Sequence, residues 1–247
     1  METLFVGTNL LEFDCLPSTN NFLLDLSKLK RLPEGTLVWA KDQQEGRGQY
    51  GKVWQVMPNL NLTFSLIFYP KFISISKQFA FSKMVALSLF EYLDTQLDNV
   101  SIKWPNDIYV GDKKIAGTLI ENAIDQSGIK QSVVGVGLNV NQLEFSPELI
   151  NATSIKSISG VNQDLKTTLN GICRMIEKNY LKLKIDSNKI DSSYLQQLYR
   201  KDVWKNYQDK NGSFEGKLIG VDASGKLEIE DRNEILRTYN LQEVSYL

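Results

Sequence analysis

Arg47 stands between two glycines in Gly46-Arg47-Gly48-Gln49-Tyr50-Gly51, a string that fits the dinucleotide-binding pattern GxGxxG letter for letter. A dinucleotide fold needs such a loop to leave a strand and open a helix, with an acidic residue about 20 positions on for the ribose. Residues 36–40 supply the strand, but neither other condition is met. Beyond the last glycine the chain runs through Lys52-Val53-Trp54-Gln55-Val56 and a turn at Pro58-Asn59 into residues 60–69, whose Leu, Phe and Ile are strand chemistry. No Asp or Glu occurs from Gly46 to Phe90, whereas Arg47, Lys52, Lys71, Lys77 and Lys83 make that stretch cationic. The loop therefore suits an anion held by backbone amides and a guanidinium between two strands.

Three more strings carry groups able to do chemistry. Lys103-Trp104-Pro105-Asn106-Asp107 packs a cation, a rigid turn, an amide and a carboxylate into five residues. Proline fixes its own φ and pushes the residue before it toward an extended conformation, so the flanking polar groups are partly preset. The plainer reading is a bend with a surface ion pair. Lys113-Lys114-Ile115-Ala116-Gly117 places cations ahead of a strand, and a glycine inside an apolar strand weakens it unless something approaches the backbone closely. Gly135 and Gly137 alternate in Val134-Gly135-Val136-Gly137-Leu138-Asn139 and so bare one face of their strand. A flat ligand would fit over that face; a sheet bend or tight helix packing would explain it equally.

The chain has 247 residues, 42% hydrophobic and 23% charged, with a net charge of −1. That is the composition of an ordinary globular protein of one or two domains, without a global pull toward nucleic acid or anionic membrane. No apolar run approaches the ~18 residues of a membrane span, and the start lacks a basic signal-peptide region, so cytoplasm is the expected compartment. Cys15 and Cys173 stand alone and read as small core residues. Histidine is absent altogether, which excludes Ser-His-Asp triads, Cys-His dyads and His-ligated zinc. Chemistry here must use Lys, Arg, carboxylates, amides or a bound metal.

The elements that position these strings can be read from periodicity. A strand over residues 10–15 meets Pro17-Ser18-Thr19-Asn20, then Phe22, Leu23, Leu26 and Leu29 fall at helical spacing over residues 21–30, with Ser18, Thr19 or Asn20 able to cap that helix. A long helix is expected over residues 76–97, strands over 101–104, 108–110, 115–124 and 131–140, a turn at Ser127-Gly128, and helices over 165–183 and 189–204. Short turns between successive strands predict an α+β fold with a mixed, largely antiparallel sheet. Residues 214–221, 226–230 and 235–239 alternate apolar and polar side chains, as in a small antiparallel barrel that must pack on the main domain. The boundary falls near Tyr207.

Together these strings resemble the biotin protein ligases. The resemblance rests on Ser18-Thr19-Asn20, on Gln43-Gln44-Glu45-Gly46-Arg47-Gly48 through Trp54, on Lys103 to Asp107, on Lys114 to Gly117 and on Gly135 to Asn139, in the family's order and spacing. It implies a fold like that of class II aminoacyl-tRNA synthetases and biotin ligases, with a catalytic domain over residues 1–206 and an SH3-like domain over 207–247. Only 17 residues precede Ser18, too few for a winged helix, so the resemblance is to the class lacking a DNA-binding domain. The implied reaction converts biotin and MgATP to biotinyl-5′-AMP and pyrophosphate, then passes biotin to one lysine of a biotin carboxyl carrier protein. DNA and membrane are not implied partners, and a homodimer is compatible with the resemblance.

The resemblance makes Arg47 and Lys114 the catalytic residues. It assigns biotin to Ser18, Thr19, Asn20, Gln43, Arg47, Gly48, Gln49, Lys114, Gly117, Gly135 and Gly137. ATP goes to Arg47, Lys52, Trp54, Lys103, Asn106 and Asn139, and a Mg²⁺ contact to Asp107. Residues 44–52 and 147–160, polar and loop-like, are expected to order over the ligand. Where many members carry further arginines after Gly48, this chain has Gln49 and Tyr50, then Lys52, which implies weaker adenylate retention or use of Lys52. The rival readings are a lipoate protein ligase, which shares the acyl-adenylate logic, and a non-catalytic biotin sensor; retention of Arg47 and Lys114 speaks against the sensor. A nucleic-acid role for residues 207–247 is weak, because carboxylates outnumber cations there.

Overall fold

A computed structural model describes residues 2–126 and 128–247 of the chain, so Ser127 of the expected turn lies outside the described residues. In chain order the elements are β1 (Leu10–Leu16), α1 (Thr19–Leu29), β2 (Leu37–Gln43), β3 (Leu62–Phe68), α2 (Phe79–Asp94), β4 (Val100–Lys103), β5 (Asp107–Val110), β6 (Lys113–Asp125), β7 (Gly128–Leu138), α3 (Ile155–Ser159), α4 (Leu165–Ile185) and α5 (Ser187–Gln196). Five short strands complete the chain: β8 (Trp204–Asp209), β9 (Gly212–Val221), β10 (Leu227–Asp231), β11 (Leu236–Tyr239) and β12 (Val244–Tyr246).

The first seven strands form one sheet in the order β1-β2-β3-β7-β6-β5-β4. Only β1 and β2 run parallel, because α1 carries the chain back between them; every other neighbour pair is antiparallel. The mixed, largely antiparallel sheet expected from the short turns is therefore present.

Side chains alternate between its faces. Leu37, Trp39, Phe64, Leu66 and Phe68 join a core with α2 and α4, while Val38, Ala40, Ile67 and Val133 pack against Leu23 of α1. On this second face the apolar character stops abruptly. The register pairs Ile67 with Val133, then Ser65 with Gly135, then Thr63 with Gly137 and, across β6, Gly137 with Gly117. Small and polar residues thus succeed the last apolar pair under α1, which leaves a hollow where helix packing would otherwise continue.

α2 is buried on nearly all sides, which fits its continuous apolar sequence between the sheet, α4 and α5. The expected helix over 189–204 ends at Gln196 instead. Residues 197–199 leave it to pair with β4, with Ile102 N–H donating to Gln197 O and Tyr199 N–H to Ile102 O, each at 2.8 Å. Arg200 and Asp202 then take left-handed backbone conformations, and Trp204 starts a strand.

The five C-terminal strands form an antiparallel sheet in the order β11-β10-β9-β8-β12. Its Tyr207, Leu218, Leu227, Ile229 and Val244 belong to the same apolar cluster as α2 and the large sheet. β8 and β12 escape the sequence pattern, since Trp204-Lys205-Asn206-Tyr207-Gln208-Asp209 lacks clean alternation and β12 has three residues.

The N-terminal segment is held by one buried carboxylate. Glu177 on α4 accepts hydrogen bonds from the Leu4 and Phe5 amides at 2.8 Å and from the Val6 amide at 3.0 Å. Glu177→Ala leaves those donors without their partner and is expected to destabilise the fold by about 2–3 kcal/mol. Urea denaturation measures the loss, and hydrogen exchange should accelerate at those three amides; exchange unchanged there would refute the anchor.

Candidate functional site

The hollow on the α1 face is the mouth of a cavity of about 810 Å³, and every site residue expected from the sequence lines it. Three groups of side chains build it.

The first group is neutral. Ser18 caps α1, its Oγ accepting from the Asn21 amide at 3.4 Å, and it lines the cavity as well. Capping turns the next two residues toward the sheet, and both Thr19 and Asn20 are buried. Gln43 Oε1 accepts from Thr19 N–H at 2.9 Å and from its hydroxyl at 3.0 Å. Ser65 Oγ lies 2.8 Å from Thr19 Oγ1 and 2.5 Å from Asn20 Oδ1. The Asn20 amide donates to Glu121 Oε2 at 2.8 Å. A β-carbon at Gly135 would lie only 2.4 Å from Asn20 Oδ1, which is the close approach that requires a glycine there. These groups form a rigid set of donors and acceptors suited to an uncharged polar ligand head.

The second group is the glycine loop. It is a narrow hairpin: Trp54 N–H donates to Gly46 O at 2.8 Å, Gly48 N–H to Lys52 O at 2.6 Å, and Arg47 faces Val53 as an antiparallel bridge. A β-carbon at Gly46 would lie 2.1 Å from Trp54 O, so the two limbs can meet only through glycine. At the tip is one turn of 3₁₀ helix, Gln49–Gly51, rather than the helix a dinucleotide would need. The amides of Gly48, Lys52 and Trp54 are thus spent inside the loop, while Arg47 lines the cavity. Arg47 Nη2 donates to Asn21 Oδ1 and lies 3.2 Å from Glu121 Oε2.

The bare face of β7 is not open, contrary to the flat-ligand expectation. The Trp54 indole lies over Gly137, where a β-carbon would come within 2.2 Å of the ring, and Asn20 lies over Gly135. Trp54 Nε1 is buried without a hydrogen-bond partner among the described residues.

The third group is cationic. Lys114 Nζ pairs with Asp107 Oδ1 at 2.7 Å and lies 5.5 Å from the Trp54 ring centre. Gly117 makes room for that pair, since a β-carbon there would meet Asp107 Oδ1 at 3.0 Å and Lys114 Nζ at 3.2 Å. Lys103 Nζ donates to Tyr109 Oη at 3.2 Å and lies 4.7 Å from the Tyr109 ring centre and 4.9 Å from that of Tyr246. Burial draws the Lys103 ammonium below the ordinary lysine value, with Arg200, Lys114 and Lys52 adding to the fall and Asp107 opposing it. Tyr109 is pushed up to about 12 by the same burial, and by Asp107.

Two amides serve the walls. Asn106 donates to Thr118 O, and Asn139 donates to Thr153 O at 2.9 Å. With Lys114 N–H donating to Asn151 O at 2.6 Å and accepting at its carbonyl from Thr153 N–H at 2.9 Å, residues 151–153 are pinned to β6. The stretch expected to be loop-like is therefore fixed at its middle, and it continues into α3, capped by Ser154. Trp104 Nε1 reaches the C-terminal sheet, donating to Gly225 O at 2.9 Å.

Arg47, Lys52, Lys103 and Lys114 thus line one cavity with Asp107 and Glu148, an arrangement that stabilises a polyanion. Among the described residues no group of three His, Cys, Asp or Glu side chains could hold a metal. Asp107 is already engaged by Lys114, so the described residues offer no metal cage of their own.

Ser65, Glu121 and Tyr246 were not found from sequence. Thr63 and Ser65 alternate in an otherwise apolar strand, and Glu121 shares the period-2 face of Gly117; both signals were readable. Tyr246 gave none, because spacing does not show that β12 returns to Lys103.

Residues 12–139 match the biotin/lipoate A/B protein ligase family, which spans all five strings. The bifunctional ligase/repressor BirA of Bacillus subtilis is 30% identical over 246 residues, covering 97% of this chain and 75% of that protein. The biotin--[acetyl-CoA-carboxylase] ligase of Paracoccus denitrificans is 34% identical over 106 residues, covering 42% of this chain and 43% of that protein. A solved structure, the biotin protein ligase from Aquifex aeolicus in complex with biotin and ATP, aligns with a TM-score of 0.79 at 26% identity over 96% of this chain and 98% of that one. The cavity's neutral end, its cationic wall and these likenesses agree, and the chain belongs to the biotin/lipoate A/B protein ligase family, among its biotin protein ligases.

Proposed function

We propose that the protein joins biotin to the AMP moiety of ATP and then transfers it to a lysine of a biotin carboxyl carrier protein. The biotin carboxylate attacks the α-phosphorus, the bond to the bridging oxygen breaks, and pyrophosphate leaves. The acceptor amine then attacks the acyl carbon, AMP departs, and the amine loses a proton. A carboxylate is ionised at pH 7 and needs no general base, so positioning and positive charge suffice for the first step. That requirement matches a chain without histidine.

The observation that carries the reading is the juxtaposition of a neutral, hydrogen-bonded end and a cationic wall in one cavity. Thr19, Asn20 and Gln43 take the ureido head of biotin, with Ser18, Gly48, Gln49 and Gly117 along its length, and the Gly135-Gly137 strand backs the pocket behind Asn20 and Trp54. Arg47 bridges biotin's carboxylate and the α-phosphate. Lys52, Trp54, Lys103, Asn106 and Asn139 serve the nucleotide, and Lys114 the charge that develops on the phosphate. Asp107 is the carboxylate that would contact a Mg²⁺ carried in with the nucleotide, which would neutralise charge on the phosphates.

We assign these roles to a catalytic domain of residues 1–206 and read 207–247 as an SH3-like domain that contributes Tyr246 to the cavity. No described helix is long and apolar enough to cross a membrane; a cytoplasmic location is part of this proposal.

Incubation with biotin, ATP and Mg²⁺, then mass spectrometry, should give biotinyl-AMP and, with a carrier domain added, a biotinylated lysine. Lipoate in place of biotin should give neither. Absence of both biotin products would favour a non-catalytic biotin sensor. A second prediction concerns the floor. In Gly135→Ala the Asn20 amide must shift away from Ser65 and Glu121, and biotin binding should weaken on the order of tenfold, as for disrupting one or two buried hydrogen bonds. Calorimetric titration with biotin alone checks this, and unaltered affinity would remove Asn20 from the pocket.

A further inference from the structure

Glu121 is a carboxylate beside a cavity that the ligase reading fills with anions, and that reading gives it no role. It lies on β6 opposite Val133, on the same face as Gly117 and Leu119. Its two oxygens collect the side chains that serve opposite ends of the reacting group. Oε2 accepts from the buried Asn20 amide at 2.8 Å, and Arg47 Nη2 lies 3.2 Å from Oε2 and 3.3 Å from Oε1. Asn20 is itself fixed from the other side by Ser65, at 2.5 Å from its Oδ1. Glu121 therefore connects a rigid point of the sheet to the one guanidinium of the glycine loop.

Which part of that guanidinium it occupies matters. Among the described residues, the hydrogen bonds of the Arg47 side chain all run through Nη2, to Asn21 and Glu121. A guanidinium presents five N–H donors in a planar fork. The Nε–H and Nη1 N–H groups have no partner among the described residues and remain as donors to an anion, so Glu121 holds Arg47 by Nη2 alone.

We propose that Glu121 is a positioning residue for adenylate retention: by binding Asn20 and Arg47 together, it aims the guanidinium at the acyl phosphate while the biotin head is held. This rests on the ligase reading. A half-exposed ion pair in solvent is worth little, so the effect is modest and specific.

The test uses the full chain, charged with biotin, ATP and Mg²⁺ and freed of excess ligand, with release of labelled biotinyl-AMP followed in time. Glu121→Gln should release the adenylate on the order of threefold to fivefold faster, the scale of such a pair. Biotin binding measured without ATP should fall by less than adenylate retention does, because an amide oxygen at that position still accepts from Asn20. In the Arg47→Ala background, adding Glu121→Gln should cause no further acceleration.

Release that is unchanged or slower in Glu121→Gln overturns the proposal, as does a parallel loss of biotin affinity, which would mark a merely structural role. Losses that multiply in the double variant overturn it too. No adenylate from the unsubstituted protein would overturn the ligase reading and this inference with it, whereas adenylate formed and normally retained by Glu121→Gln overturns this inference alone.

Discussion

Lys114→Ala is expected to lower adenylate formation by on the order of 10² to 10³, the scale of losing one donor aimed at transition-state charge. The lysine is held as such a donor must be. Its backbone is pinned on both sides, to Asn151 O and from the Thr153 amide, so the strand end that carries it does not drift. Its ammonium rests against Asp107 at 2.7 Å, in space that a β-carbon at Gly117 would crowd. Folding should be little affected, because the ion pair is partly solvated and worth about 0–1 kcal/mol. Pyrophosphate release during the first turnover is the decisive measurement, and a near-normal rate would remove Lys114 from the catalytic role.

Arg47→Ala should cost more than Lys114→Ala, in adenylate formation or in its retention. A guanidinium can bind a carboxylate or phosphate with two charge-assisted hydrogen bonds, whereas an ammonium acts as a point charge. Arg47 also lies where the hairpin crosses the cavity, and the amides of Gly48, Lys52 and Trp54 are already bonded within the loop and cannot replace it. Its side chain is about half exposed, so the variant should fold normally. Biotin transfer to a carrier domain, together with adenylate release, separates the two routes of loss; unchanged biotinylation would sink the assignment. Arg47→Lys should restore part of the charge and little of the retention.

The fold was legible wherever one face of an element was buried. β3, β6 and β7 announced themselves by apolar runs, and α4 by its 3.6-residue period. The site was legible where a residue type was improbable for its element. Gly117, Gly135 and Gly137 interrupt apolar strands; a β-carbon would collide with Asn20 at Gly135 and with Trp54 at Gly137, and would crowd the Asp107–Lys114 pair at Gly117. The identity of what approaches was hidden, because the Trp54 indole and the Asn20 amide reach the floor by tertiary packing. The end of α5 was hidden for the same reason: residues 197–199 pair with β4, which lies almost a hundred residues earlier. For Lys103 the sequence offered a surface ion pair or, by resemblance, a contact to ATP, and nothing about its surroundings. Its cage of Tyr109 and Tyr246 exists only because the small sheet docks on the large one.

That docking sets an order of events during synthesis. The cavity draws its wall from Ser18 at one extreme and Tyr246 at the other, and Trp104 is tied to Gly225 across the same junction. A nascent chain on the ribosome has the strands of the large sheet and the glycine hairpin early, yet the part of the cavity wall that Tyr246 supplies is added only when residue 246 has cleared the exit tunnel. The cavity is therefore completed only in a chain that has been read through to β12, and an interrupted product is left with the large sheet and an open hollow.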